Sequence, residues 1–155
     1  MTFDKNESAG YLINHLARIF AQALAREIKP LGLAPGQFMV LLELWREDGL
    51  TQRDLVARLD VEQATLANTL SRMERDGLVR RVRHPTDGRA QVIRLTERAR
   101  RREAPATKAA DSINRHMLAD LTAEQRRRFV ETMREVIAAG TRRVGEDKHQ
   151  GPLRR

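Results

Sequence analysis

Between Thr51 and Leu95 the hydrophobic period of the chain changes from that of a helix to that of a strand, and this switch restricts the fold more than any other feature. Thr51 with Asp54 three residues later forms an approximate capping box, and Leu55, Val56 and Leu59 supply the apolar stripe of a short helix. After Asp60 and Val61 a second helix begins near Glu62. It runs to Arg75, where Asp76 and Gly77 stop it, with Leu66, Leu70 and Met73 on its buried face. Leu78 to Arg83 and Gln91 to Leu95 are β-type runs, separated by the turn-rich His84-Pro85-Thr86-Asp87-Gly88-Arg89. The pattern predicts two helices joined by a tight turn, then a hairpin with an arginine at its tip.

Helices flank this segment. From Ser8 to Lys29, Leu12, Leu16, Ile19, Phe20, Ala23, Leu24 and Ile28 recur at helical steps, and Pro30 and Gly32 end the run. Pro35 opens a second helix that reaches Arg46 with Phe38, Leu41, Leu42 and Trp45 inward, and Asp48-Gly49 turns the chain. Thr96 caps a long helix toward Leu118 that Pro105 is expected to kink. Thr122 and Gln125 form another capping box, before a last helix with Phe129, Val130, Met133, Val136 and Ile137 on one face. Beyond Gly140 the basic, polar tail reads as disordered. No internal repeat is visible.

Charge and composition narrow the function. The 155 residues carry a formal net charge of +8, and the segment from Thr51 to Arg102 holds thirteen arginines against seven acids, so a polyanion is its natural partner. The chain has no cysteine, which excludes disulfides, thiolate nucleophiles and cysteine-based zinc sites. His116 and Asp120 share a helix face, but two ligands without a third do not make a metal site. No glycine-rich phosphate loop or zinc-protease helix occurs, and Ser8, Ser71 and Ser112 suggest no triad, so neither an enzyme nor a cofactor is expected. The polar start and the lack of a span of membrane length predict a cytoplasmic protein.

The second helix of the pair turns a small, polar face away from its core. Asn68 and Gln63 can bond adenine in two-pronged fashion, Thr65 can touch a phosphate or a thymine methyl, and Ser71 shares that face. Arg72 and Arg75 can reach phosphate or guanine. The run Leu59-Asp60-Val61-Glu62-Gln63-Ala64-Thr65-Leu66-Ala67-Asn68-Thr69-Leu70-Ser71-Arg72-Met73-Glu74-Arg75-Asp76-Gly77-Leu78-Val79 resembles the recognition helix of MarR-type regulators, the SlyA-like branch especially. His84 to Thr96, with Asp87-Gly88-Arg89 at the tip, is similar to that family's wing.

The resemblance implies a mainly α protein with a small β-wing. It has a winged helix-turn-helix DNA-binding domain over residues 34–98 and dimerisation helices at 1–33 and 99–140, with a basic tail at 141–155. It further implies a homodimer that represses transcription by binding double-stranded DNA at a pseudopalindromic operator. By the same resemblance Arg89 is expected to enter the minor groove, with Asp87 bracing it. The resemblance also implies release of the DNA by a small aromatic anion or phenolic ligand, with Tyr11, His15, Arg18 and Trp45 as the candidate pocket residues. The alternative is a winged-helix module that docks proteins without reading DNA.

Overall fold

The computed structural model describes residues 3–149, with side chains to residue 145. Its elements are α1 (Ala9–Ile28), α2 (Pro35–Arg46), β1 (Leu50–Thr51), α3 (Gln52–Leu59), α4 (Gln63–Arg75), β2 (Val79–Arg83), β3 (Gln91–Leu95), α5 (Glu97–Met117) and α6 (Ala123–His149). Short 3-10 turns at Lys5–Glu7 and Lys29–Leu31 precede and follow α1. The chain divides into two units, residues 1–114 and 115–155.

In the first unit, local signals set most element boundaries. Ser8 accepts a hydrogen bond from the Tyr11 amide at the start of α1. At α3, Thr51 Oγ1 accepts from the Asp54 amide (3.1 Å) and the Asp54 carboxylate accepts from the Thr51 amide (2.9 Å), so the box is closed in both directions. Asp60, with φ of 51°, is the single non-glycine residue with positive φ among the described residues, and it makes the sharp turn into α4. At the other end of α4, Gly77 (φ 72°) lets the Leu78 amide reach back to the Met73 carbonyl at 2.9 Å.

The sheet is antiparallel in the order β1-β3-β2, with Val79 opposite Leu95, Arg81 opposite Ile93, and Leu50 opposite Ile93 on the other edge. Strand β1 was not expected: two residues carry no readable period, and the pairing is set by where β3 lies. Leu41, Leu44, Leu55, Leu66, Leu70, Met73, Leu78 and Ile93 form the sealed centre of one core under the helix pair and the sheet. Leu42, expected inside, is 37% exposed, and Val40 and Leu44 take the buried positions of α2 instead. Along α1 only Ile28 is buried. Leu12 and Ile19 of the expected inward stripe are exposed, because nothing in the unit covers that half of the helix.

Helix α5 starts at Thr96, whose Oγ1 accepts from the Ala99 amide and donates to the Gly77 carbonyl. It continues across Pro105. In the second unit, Thr122 and Gln125 close the expected box at the start of α6. The disordered tail expected after Gly140 is corrected for the described residues, since α6 runs on to His149. Gly140 keeps a negative φ, and a glycine inside a helix costs only about 1 kcal/mol, too little to stop it. Residues 150–155 of that tail lie outside the described residues.

Candidate nucleic-acid interface

Helix α4 presents the side chains expected to read bases. With Leu66, Leu70 and Met73 buried, Gln63, Thr65, Asn68, Ser71, Arg72 and Arg75 are all exposed. Within the described residues the side chains of Gln63, Asn68, Ser71 and Arg72 make no hydrogen bond or ion pair, so their full bonding capacity faces outward. Arg75 is partly committed, its Nε donating to Asp76 Oδ1 at 3.2 Å. Asp76 in turn accepts from the buried Gln37 at 2.9 Å. The Gln37 hydrogen bond first, and Arg75 second, hold the Asp76 carboxyl below the usual aspartate range. Gln37 also accepts from the Ala34 amide, so the end of α4 is tied to the start of α2.

The wing is shaped by its own turn. His84 Nδ1 accepts from the amides of Thr86 (3.2 Å) and Asp87 (3.0 Å), which assigns the ring proton to Nε2. Asp87 Oδ1 accepts from the Arg89 amide at 3.1 Å. The carboxylate therefore acts on the backbone of Arg89, and its guanidinium, without an ion-pair partner among the described residues, is free to reach outward. The sequence marks His84 only as a turn residue, because its role depends on a ring folding back over two amides.

Between the wing and α3 lies an open cavity of about 480 Å³ lined by Thr51, Gln52, Arg53, Arg81, Arg83, Gly88, Arg89, Ala90 and Gln91. Four arginines of this groove come from three separate parts of the chain. The sequence pairs Arg81 and Arg83 with the wing tip but gives no sign of Gln52 and Arg53, because α3 reads as scaffold and only the fold brings its first residues to the wing. Arg81 is the structural member of the set: its Nε donates to Glu74 (2.8 Å) and its Nη1 to Gln52 (3.1 Å), joining β2 to both helices of the pair. A groove of guanidinium groups and a polar helix face in one unit suit a phosphate backbone and base edges respectively.

The four candidate pocket residues are not brought together. Tyr11 and His15 meet edge to face with centroids 6.2 Å apart on the exposed side of α1, which also carries the exposed Arg18. Trp45 packs edge-on against Phe38 at 6.1 Å and donates from Nε1 to the Ala99 carbonyl at 3.1 Å, a core role. A cavity of about 310 Å³ exists nearby, lined by Phe20, Leu24, Phe38, Leu42, Thr107, Ala110, Asp111, Ile113 and Asn114. On α1 this is the face of Phe20 and Leu24, out of phase with Tyr11, His15 and Arg18. Among the described residues, no group of three His, Asp or Glu side chains is placed to hold a metal, and no helix is long and apolar enough to cross a membrane.

Comparison with known proteins bears on this geometry. The MarR family model matches residues 31–90. The transcriptional regulator HosA of Escherichia coli O111:H- is 32% identical over 127 residues, covering 81% of this chain and 94% of HosA. The chain belongs to the MarR family. Its other relatives include YdgJ, an uncharacterised HTH-type transcriptional regulator of Bacillus subtilis, 29% identical over 66% of this chain and 62% of YdgJ. Among solved structures, PcaV of Streptomyces coelicolor, in complex with its natural ligand, superposes with a TM-score of 0.76 at 29% identity, over 90% of this chain and 99% of PcaV. Reduced AbfR bound to DNA gives 0.66 at 26% identity, over 83% and 88% of the two chains. The chain is a MarR-family transcriptional regulator, mainly helical with a small β-wing.

Proposed function

We propose that this MarR-family regulator binds a pseudopalindromic DNA duplex as a homodimer, with α4 of each protomer in a major groove and Arg89 in the adjoining minor groove. The observation that carries the reading is the unpartnered face of Gln63, Asn68, Ser71 and Arg72 together with the four-arginine groove at the wing. Residues 34–98 are then the DNA-reading part, and the helices of 1–33 and 99–140 dimerise. Exposed Leu12, Ile13 and Ile19 on α1, and Val130, Met133, Val136 and Ile137 on α6, support this, since such surface needs a partner. Twofold symmetry sets the half-sites about 10 base pairs apart.

The regulator acts as a repressor that a phenolic ligand releases. The cavity under α1 and α5 has an apolar wall of Phe20, Leu24, Phe38 and Ile113, with Thr107, Asp111 and Asn114 at its edge and no basic side chain. A hydroxyl that donates to Asp111 or Asn114 suits this lining better than the carboxylate of an aromatic anion, which would meet a like charge. The experiment is selection of bound sequences from a random duplex pool by the purified protein, with sedimentation of the free protein. A pseudopalindrome bound by a dimer is expected, and release from it by a substituted phenol but not by a benzoate. A monomer at micromolar concentration, or a best site without inverted symmetry, would overturn the reading.

A further inference from the structure

Asp48 lies between α2 and β1, and its carboxylate, 16% exposed, meets β3 and α5 as well as its own turn. Oδ1 accepts from the amides of Gly49 and Leu95, both at 2.9 Å. Oδ2 accepts from Arg100 Nη2 at 2.7 Å, with Arg94 Nη1 3.8 Å away. Extending the β1–β3 register from Leu50 and Ile93 places Asp48 opposite Leu95, so its side chain supplies the acceptor that a longer β1 would have offered. Gly49 makes this possible. Its φ is 82°, and a Cβ there would lie 2.7 Å from Arg94 Cζ, so only glycine turns the backbone aside while Arg94 lies across it.

Leu95 is the last residue of the wing's return strand, and Arg100 lies in the first turn of α5. The short link through Thr96 is the only covalent path between them, and a rotation of about 10° there would move the far end of a 21-residue helix by about 5 Å. We propose that Asp48 is a positioning residue that sets the direction of α5 relative to the wing, and so the separation of the two recognition helices in the dimer. The second part rests on the dimeric DNA-binding reading above.

Asp48→Asn keeps an acceptor for the Leu95 and Gly49 amides and removes the charge facing Arg100. Arg100→Gln removes the same pair from its half-exposed side, leaving every backbone bond of Asp48 in place, and serves if the first variant folds poorly. Arg100→Lys keeps the cation. Because the chain has no cysteine, spin labels can be placed at Ser71→Cys and Lys108→Cys alone, with unlabelled protein in excess so that each measured pair lies within one protomer. A narrow distance distribution is expected with native Asp48 and Arg100, and a broadened or shifted one in Asp48→Asn and Arg100→Gln, largely restored by Arg100→Lys.

Operator duplexes with the selected half-site spacing, and with one base pair more or less, supply the second readout. Preference for the selected spacing should fall about fivefold in the two charge-removing variants and be largely kept by Arg100→Lys. Unchanged distance distributions would overturn the proposal, as would a uniform loss of affinity at all spacings. If selection yields no symmetric operator, it is the dimeric reading that fails, and the intraprotomer distances still decide the role of Asp48.

Discussion

Replacing Arg89 with alanine removes a cation that the fold does not use. The side chain is exposed, its guanidinium has no partner among the described residues, and the amide that Asp87 holds at 3.1 Å survives the substitution. Thermal stability should therefore move by less than about 0.5 kcal/mol. Binding should change steeply. Each phosphate neutralised contributes about 0.9 to the slope of log K against log salt, so losing one contact per protomer from a dimer lowers that slope by about 1.8. Counterion release alone then makes the variant about 30-fold weaker at about 0.15 M salt and about 200-fold weaker at about 0.05 M. The assay is fluorescence anisotropy of labelled operator and scrambled duplex across that salt range, with Arg81→Ala as the contrast. Arg81 is engaged by Glu74 and Gln52, so its loss should lower the melting temperature and change the slope less. If Arg89→Ala leaves slope and affinity unchanged, the wing does not touch DNA. A loss near 0.9 would mean that only one wing of the dimer is engaged.

Three further outcomes test other parts of the argument. Asn68→Ala should relax base preference at one position per half-site by about 1–3 kcal/mol while keeping the salt slope, because asparagine releases no counterion; equal weakening on operator and scrambled duplex would show that Asn68 reads no base. Leu70→Ala empties a fully buried position under the recognition helix and should cost about 2–5 kcal/mol by urea denaturation; a cost under about 1 kcal/mol would place Leu70 outside the core. The Thr51 hydroxyl, then the Thr51 amide, hold the Asp54 carboxyl below the usual aspartate range, so its contribution is complete above that range and is lost as pH falls through the lowered value. Asp54→Asn should thus remove part of the acid-side fall in stability between about pH 5 and 2, and identical pH profiles would refute the assignment.

The half of the candidate site proposed to face DNA was legible because its information is local. A helix needs its cap, stripe and stop within a dozen residues, so Thr51 with Asp54, the phase of Leu66, Leu70 and Met73, and Gly77 located α3 and α4 with their outward faces. Phase alone exposed Gln63, Asn68 and Arg72, and Asp87-Gly88-Arg89 marked the tip of the hairpin. The same locality misled at Gly140, where composition suggested a stop that helix energetics did not require, and along α1, where a regular stripe does not say whether its own chain covers it.

What the sequence by itself determined, then, is the set of elements, their faces and the residues those faces carry. Only the tertiary structure decided which faces meet. Arg53 joins Arg83 and Arg89 in one groove because side chains of α3 and β2 meet at the wing, Gln52 accepting from Arg81, and Trp45 is core because Ala99 comes within 3.1 Å of its ring nitrogen. Phe20 and Leu24, rather than Tyr11 and His15, line the apolar cavity, and Asp48 reaches a strand end 47 residues away. Local order follows from backbone hydrogen bonds closed over a few residues, whereas these contacts follow from the burial of whole faces against one another, and no short stretch of sequence contains both partners.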